Sequence, residues 1–115
     1  MRKINANLIG IDQGEVILFS DFEDDGAMWT GTGPRVTQKK IKFSESFQTK
    51  PNVTVALSMW DMSHLTNSRV DVQAESVTQD AFVIVFRTWS DTRIARVRVA
   101  WQAIGAAHSD EVWEL

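Results

Sequence analysis

The chain contains no cysteine. That excludes disulfides, thiolate-held zinc and thiol catalysis together. It also lacks tyrosine, although it holds five tryptophans and six phenylalanines; tryptophan in a small domain serves either the core or a binding platform. No apolar run reaches the length of a membrane span, so no membrane insertion is expected. The opening MRKINANLIGID has a basic start but not the apolar stretch of a signal peptide. The expectation is synthesis without such a signal, with action on a particle or outside the cell. A basic excess is missing too: 12 Lys and Arg stand against 15 Asp and Glu, a net charge of −3. Nucleic acid is therefore not the expected partner. Repeats, low-complexity tracts and linkers are absent, and 115 residues suffice for one core. The reading is an N-terminal segment over 1–12, one domain over 13–106 and a C-terminal tail over 107–115.

What is present is alternation. The hydrophobic fraction of 43% with 23% charged residues argues for a folded domain rather than disorder. Short period-2 runs separated by turn residues predict strands. In TWSDTRIARVRVAWQAIG, Ala95, Val97, Val99, Trp101 and Ala103 share one parity, and Arg96, Arg98, Ala100 and Gln102 the other. This predicts a half-buried strand over Ile94–Ile104. Further strands are predicted over Gly14–Phe22, Val36–Phe43, Val53–Trp60, Arg69–Val77 and Phe82–Trp89. Lys39, Lys40 and Lys42 mark Val36–Phe43 as an edge or solvent-facing strand. The nearly continuous apolar run in GEVILFSDF predicts a strand covered on both sides. Phe82–Phe86 is apolar on both parities, which predicts a central strand or a subunit interface. No window carries a clean helical period. Six antiparallel strands without a helix predict an all-β, two-sheet sandwich.

Several residues invite chemistry. In Asp21-Phe-Glu-Asp-Asp-Gly26, carboxylates at positions one, three and five and a glycine at six match half of a calcium loop. Position twelve is Thr32, where a carboxylate is required, so a solvated acidic turn is expected and no metal or other cofactor. His64 and His108 have no partner at local spacing and read as surface residues. No nucleophile elbow supports a catalytic triad, so no enzyme activity is expected. Arg69 opens a strand after a polar loop. It reads either as a surface charge at a strand end or a salt bridge to Asp71 or Asp91, or as a fork of donors for hydroxyls or a carboxylate. Trp89, followed by Ser90, Asp91 and Thr92, reads either as a cap on the sandwich with an Asx turn or as an apolar wall beside short polar groups, the combination a pyranose ring requires. Trp29, in MWTGTG, docks on the sandwich or on a ligand. Trp60 and Trp101 read as core or interface, and Trp113 as docking back or contacting a neighbour.

From Val36 to Gly105 the chain resembles the H-type lectin domain family, that of snail agglutinin and the discoidin C-terminal domain. The resemblance rests on an ordered set: Phe43 and Phe47, Pro51 with VTVALSMWD, Asn67-Ser-Arg69-Val, Val77-Thr78 with Phe82, TWSDT, and a strand ending WQAIG. It implies a six-stranded antiparallel β-sandwich, a homotrimer, and glycan sites between neighbouring subunits that take N-acetylgalactosamine or galactose. The family's sugar-contacting Arg falls on Arg69 and its Trp on Trp89. The next residue, a sugar-contacting His in the snail protein, is Ser90 here, and a Tyr contact falls on Ala95. The family's Gly- and Asp-bearing loop corresponds to Asp25–Thr32. The expected carbohydrate-binding set is Arg69, Trp89, Ser90, Asp91, Asp25, Gly26, Trp29, Gly31 and Thr32.

The resulting expectation is a non-catalytic lectin for N-acetylgalactosamine, galactose or a bacterial polysaccharide, multivalent through trimerisation. The alternative is a trimeric assembly module of a particle with a degenerate sugar site. Because the calcium-loop pattern fails at Thr32, addition of a chelator should leave the melting temperature unchanged. A marked drop on calorimetry would show that the acidic turn holds a metal.

Overall fold

The computed structural model describes residues 1–109. Six strands form two three-stranded antiparallel sheets: β1 (Ile9–Phe19), β2 (Arg35–Lys42), β3 (Asn52–Met62), β4 (Val70–Glu75), β5 (Ala81–Thr88) and β6 (Ile94–Ala106). One sheet has the order β1-β6-β3 and the other β2-β5-β4. The expected all-β sandwich is therefore present, with β6 and β5 as its central strands. Trp113 lies outside the described residues.

The long β1–β2 connection holds two single helical turns, α1 (Asp21–Asp24) and α2 (Ala27–Thr30), where no helix was expected. Four-residue turns are too short to show a helical period. They are fixed instead by Asp21, whose Oδ2 accepts the Met28 N–H at 2.9 Å while its carbonyl accepts the Gly26 N–H at 2.9 Å. Asp25, between the turns, sits in the left-handed region at φ 54°.

β1 also differs from expectation. It starts at Ile9 rather than Gly14, because Gly10 and Asp12 pair with Gly105 and Ala103 of β6 despite their poor strand propensity. It ends at Phe19, where the chain turns into α1. Its two faces are not both covered. It is an edge strand, and Ile11 and Ile17 remain 63% and 54% exposed. Val16, Leu18 and Phe19 pack against the core, Phe19 edge-on to Phe86 with ring centroids at 5.5 Å.

The inward parity of the other strands follows the alternation. Phe82, Ile84 and Phe86 of β5 and Val97, Val99 and Ala103 of β6 are fully buried. On β5 the outward-facing Val85 is also buried, at 2% exposed. It pairs with Gln38 on one side and Gln73 on the other, so its position on a central strand covers it within a single chain. Trp60 is not core: it is 62% exposed, beyond a register shift between Leu57 and Met59. Trp101, by contrast, packs on Phe82 and Phe43, with ring centroids at 5.4 and 6.1 Å.

Gly14 makes room for that indole. It pairs with Trp101 across β1 and β6, and a Cβ there would lie 3.0 Å from the indole Nε1. Phe43 and Phe82 hold the ring from the other side. Gly14→Val should destabilise the protein by about 1–3 kcal/mol through overpacking, although valine favours strands. An unchanged melting temperature would show that the Trp101 ring can move aside.

Candidate functional site

The strand β5 ends at Thr88 and β6 begins at Ile94, so the turn TWSDT with Arg93 carries the chain from one sheet to the other. Its side chains divide into two groups. Thr88 and Thr92 are buried, at 1% and 0% exposed. The Thr88 hydroxyl donates to the Arg69 carbonyl at 2.6 Å, and the Thr92 hydroxyl to the Asn67 carbonyl at 2.7 Å. Thr92 Oγ1 in turn accepts the Arg69 N–H at 3.1 Å. Asp91 Oδ1 accepts from the side-chain amide of Asn67 at 3.0 Å and from its backbone N–H at 3.3 Å. The turn thus grips residues 67–69 at both backbone and side chain, which fixes where Arg69 emerges.

Trp89 and Ser90 remain outward. Trp89 is 41% exposed and borders a depression of about 300 Å³ with Pro34, Val36 and Arg87. Ser90 has φ 63°. Its carbonyl accepts the Gly33 N–H at 2.8 Å and an Arg35 guanidinium N–H at 3.3 Å. This ties the segment Gly31–Thr32–Gly33 to the turn.

Arg69 stands apart from the other arginines of the sandwich. Arg35 donates to the Gly33, Ala27, Met28 and Ser90 carbonyls. Arg93 donates to the Trp29 carbonyl. Arg87 pairs with Glu75 and Asp71, Arg96 with Asp61, and Arg98 with Glu15. Among the described residues the Arg69 guanidinium makes no hydrogen bond or ion pair. The expected bridge to Asp71 or Asp91 does not form, because Arg87 takes Asp71 and Asn67 takes Asp91. The pairing of Val70 with Thr88 leaves Arg69 and Trp89 at the same end of neighbouring strands.

The remaining candidates are placed differently. Trp29 docks on the protein: the Arg93 guanidinium carbon sits 4.3 Å from its ring centroid, and Phe22 meets it edge-on at 5.3 Å. Its ring is an anchor for the β1–β2 connection. The carbonyls of Asp25 and Gly26 accept the Thr30 hydroxyl, and no hydrogen bond or ion pair joins them to Arg69, Trp89 or Asp91. Thr32 is exposed. His64 and His108 are exposed, and among the described residues no three carboxylates or histidines converge as metal ligands. Sequence reasoning missed the work of Thr88, Thr92, Arg35 and Arg93. The two threonines that flank the turn carried a signal, since a hydroxyl at a strand end bonds local backbone. The arginines carried none at local spacing.

The geometry defines a β-sandwich whose β5–β6 end carries, beside a half-exposed indole, an arginine without a partner among the described residues. Comparison with known proteins adds the family. The H-type lectin domain model matches residues 38–104. A protein of Fuscovulum blasticum, described as ATP synthase subunits region ORF 7, is 58% identical over 115 residues, covering 100% of this chain and 99% of its own length. A discoidin-1 polypeptide of Dictyostelium discoideum is 32% identical over 81 residues, 70% of this chain but only 32% of the discoidin. Among solved structures, discoidin II of the same organism superposes with a TM-score of 0.76 at 19% identity, covering 94% of this chain and 41% of that one. The tailspike protein gp49 of Pseudomonas phage LKA1 shares the fold at a TM-score of 0.53 and 12% identity, over 88% of this chain and 15% of the tailspike. The chain belongs to the H-type lectin domain family.

Asp91 reports on the clamp. Its pKa lies below the ordinary 3.8, first because the Asn67 side chain donates to the carboxylate; desolvation opposes this, and backbone N–H groups of Asn67 and Asp91 and the Arg69 charge add to it. A depressed folded-state pKa stabilises the protein above the unfolded value, and that contribution is lost as pH falls through the folded value. Asn67→Ala should therefore raise the Asp91 pKa toward 3.8, read by an NMR titration of its carboxyl carbon. An unchanged titration would remove Asn67 as the cause.

Proposed function

We propose that this chain is a non-catalytic lectin that binds glycan at the Arg69–Trp89 end. The ligands are N-acetylgalactosamine or galactose, or a bacterial surface polysaccharide of similar chemistry, and the role is adhesion or glycan recognition. The observation that carries this reading is the uncommitted Arg69 guanidinium, which leaves five N–H donors in a fixed fork. Its backbone is fixed by Thr88 and Thr92, so the side chain starts from a fixed point. Trp89 offers the apolar plane for a sugar's C–H face, and Ser90 a short hydroxyl. Asp91 acts by holding Asn67 and the Arg69 loop. Asp25, Gly26, Gly31 and Thr32 belong to the β1–β2 connection and complete the site from its margin. Trp29 supports that connection rather than the sugar.

Assembly as a homotrimer would supply several weak sites on one surface, and avidity follows from their linkage. Family membership supports both glycan binding and this assembly. A second reading has one observation in its favour. Ala95, where the resemblance places an aromatic contact, is 6% exposed and too short to reach a ligand. On that reading the chain is a trimeric module that builds a particle, with a degenerate sugar site.

Arg69→Ala should abolish binding on a glycan array without a large change in melting temperature, because the variant keeps the backbone bonds to Thr88 and Thr92. A large loss of stability would make Arg69 a structural residue. Silence of the folded wild-type protein across the array would favour the assembly module.

A further inference from the structure

A depression larger than the one at Trp89 lies elsewhere on the sandwich. It is a groove of about 580 Å³ between β3 and β4, bordered by Trp60, His64 and Ser68 over Leu57, Met62 and Val70. β3 and β4 are edge strands of opposite sheets, so the groove is the open seam of the sandwich. Leu57, Met62 and Val70 are half-buried and form an apolar floor. Trp60 is 62% exposed. Among the described residues the His64 ring and the Ser68 hydroxyl have no hydrogen-bond partner.

We propose that this groove is a second saccharide subsite, so that the ligand is an oligosaccharide and not a single terminal sugar. The inference rests on the reading of Arg69 as a sugar contact and extends it. Ser68 and Val70 line the groove, and Arg69 lies between them in sequence. In an extended chain successive side chains point to opposite sides, with Cα atoms about 3.8 Å apart. Arg69, just before the start of β4, thus stands within one sugar residue of the groove, and a glycan it holds would meet the groove with its next residue. There the Trp60 indole is the stacking plane, and His64 and Ser68 are the hydroxyl partners. The rim chemistry favours this occupant over an apolar surface from another copy of the chain. A dry apolar partner would bury His64 and Ser68 without hydrogen bonds, at a cost a hydroxyl-rich ring avoids. The concavity is also of a size that small ligands occupy.

The test compares N-acetylgalactosamine with the disaccharide N-acetylgalactosaminyl-α-1,3-galactose, by calorimetry, on the full chain. The wild type should bind the disaccharide roughly tenfold more tightly, as expected for one aromatic stacking contact. Trp60→Ala should erase this preference and leave monosaccharide affinity unchanged, and His64→Ala should reduce the preference. Both positions are exposed, so folding is not at stake. Equal wild-type affinities, or a preference that survives Trp60→Ala, overturns the subsite and leaves the Arg69 site intact. If Trp60→Ala instead breaks the oligomer in sedimentation velocity, the groove belongs to a second copy and the subsite is wrong. If the wild type binds neither sugar, the galactose-type reading of Arg69 fails first and the subsite fails with it.

Discussion

Everything around Arg69 depends on one turn, Trp89–Arg93, because it joins the central strand of one sheet to the central strand of the other. A central strand is held on both sides by backbone bonds and on its inner face by the core. The turn therefore starts and ends at two of the best-fixed points in the molecule. Two buried threonine hydroxyls and one carboxylate then transmit that rigidity sideways to residues 67–69. The buried hydroxyls are fully satisfied, as low-dielectric surroundings require. No buried side-chain polar atom lacks a partner among the described residues. Arg69 is thus an exposed, flexible residue type set on a stiff base. Ordering its donors against a ligand costs less entropy when the backbone is already fixed.

Much of this was legible in the sequence, and the reasons differ by element. The inward rows of β5 and β6 were plain because a sandwich needs strict period-2 burial, and Phe82, Ile84, Phe86, Val97 and Val99 obey it. The ends and the outer face of β1 were not legible. Gly10, Asp12 and Gly14 look like breakers, yet two of them are glycines for close approach, one to Ala107 beside Phe47 and the other to the Trp101 ring. That requirement is set by β6 and its flank, far away in sequence. The single turns α1 and α2 were invisible because their hydrogen bonds come from Asp21, seven residues from Met28. At the site, residue types pointed to Arg69 and TWSDT. Nothing local showed that Arg87 would take Asp71 or that Arg93 would cover Trp29. Partner choice among arginines is a tertiary property.

The relatives fit a fold whose surroundings vary. The discoidins place a homologous segment within chains about three times as long, whereas the Fuscovulum blasticum protein matches this one along its whole length. The tailspike places the same fold within a much larger chain. A domain with its own core can be placed in such different contexts.

The left-handed backbone at Ser90 has a further consequence, for how the site can diversify. A residue at φ 63° is comfortable as Gly, Asn or Asp and strained as a β-branched or bulky side chain, by roughly 1–2 kcal/mol. Position 90 is therefore filtered by the main chain before any ligand is met. Its carbonyl also secures Gly33 and Arg35, so relaxing the strain by a peptide flip would release the β1–β2 connection. Substitutions should accordingly be tolerated more readily at Trp89 and Arg69 than at the serine between the tryptophan and the clamp. A combinatorial library built on this end of the sandwich would do well to keep position 90 small and to vary its neighbours.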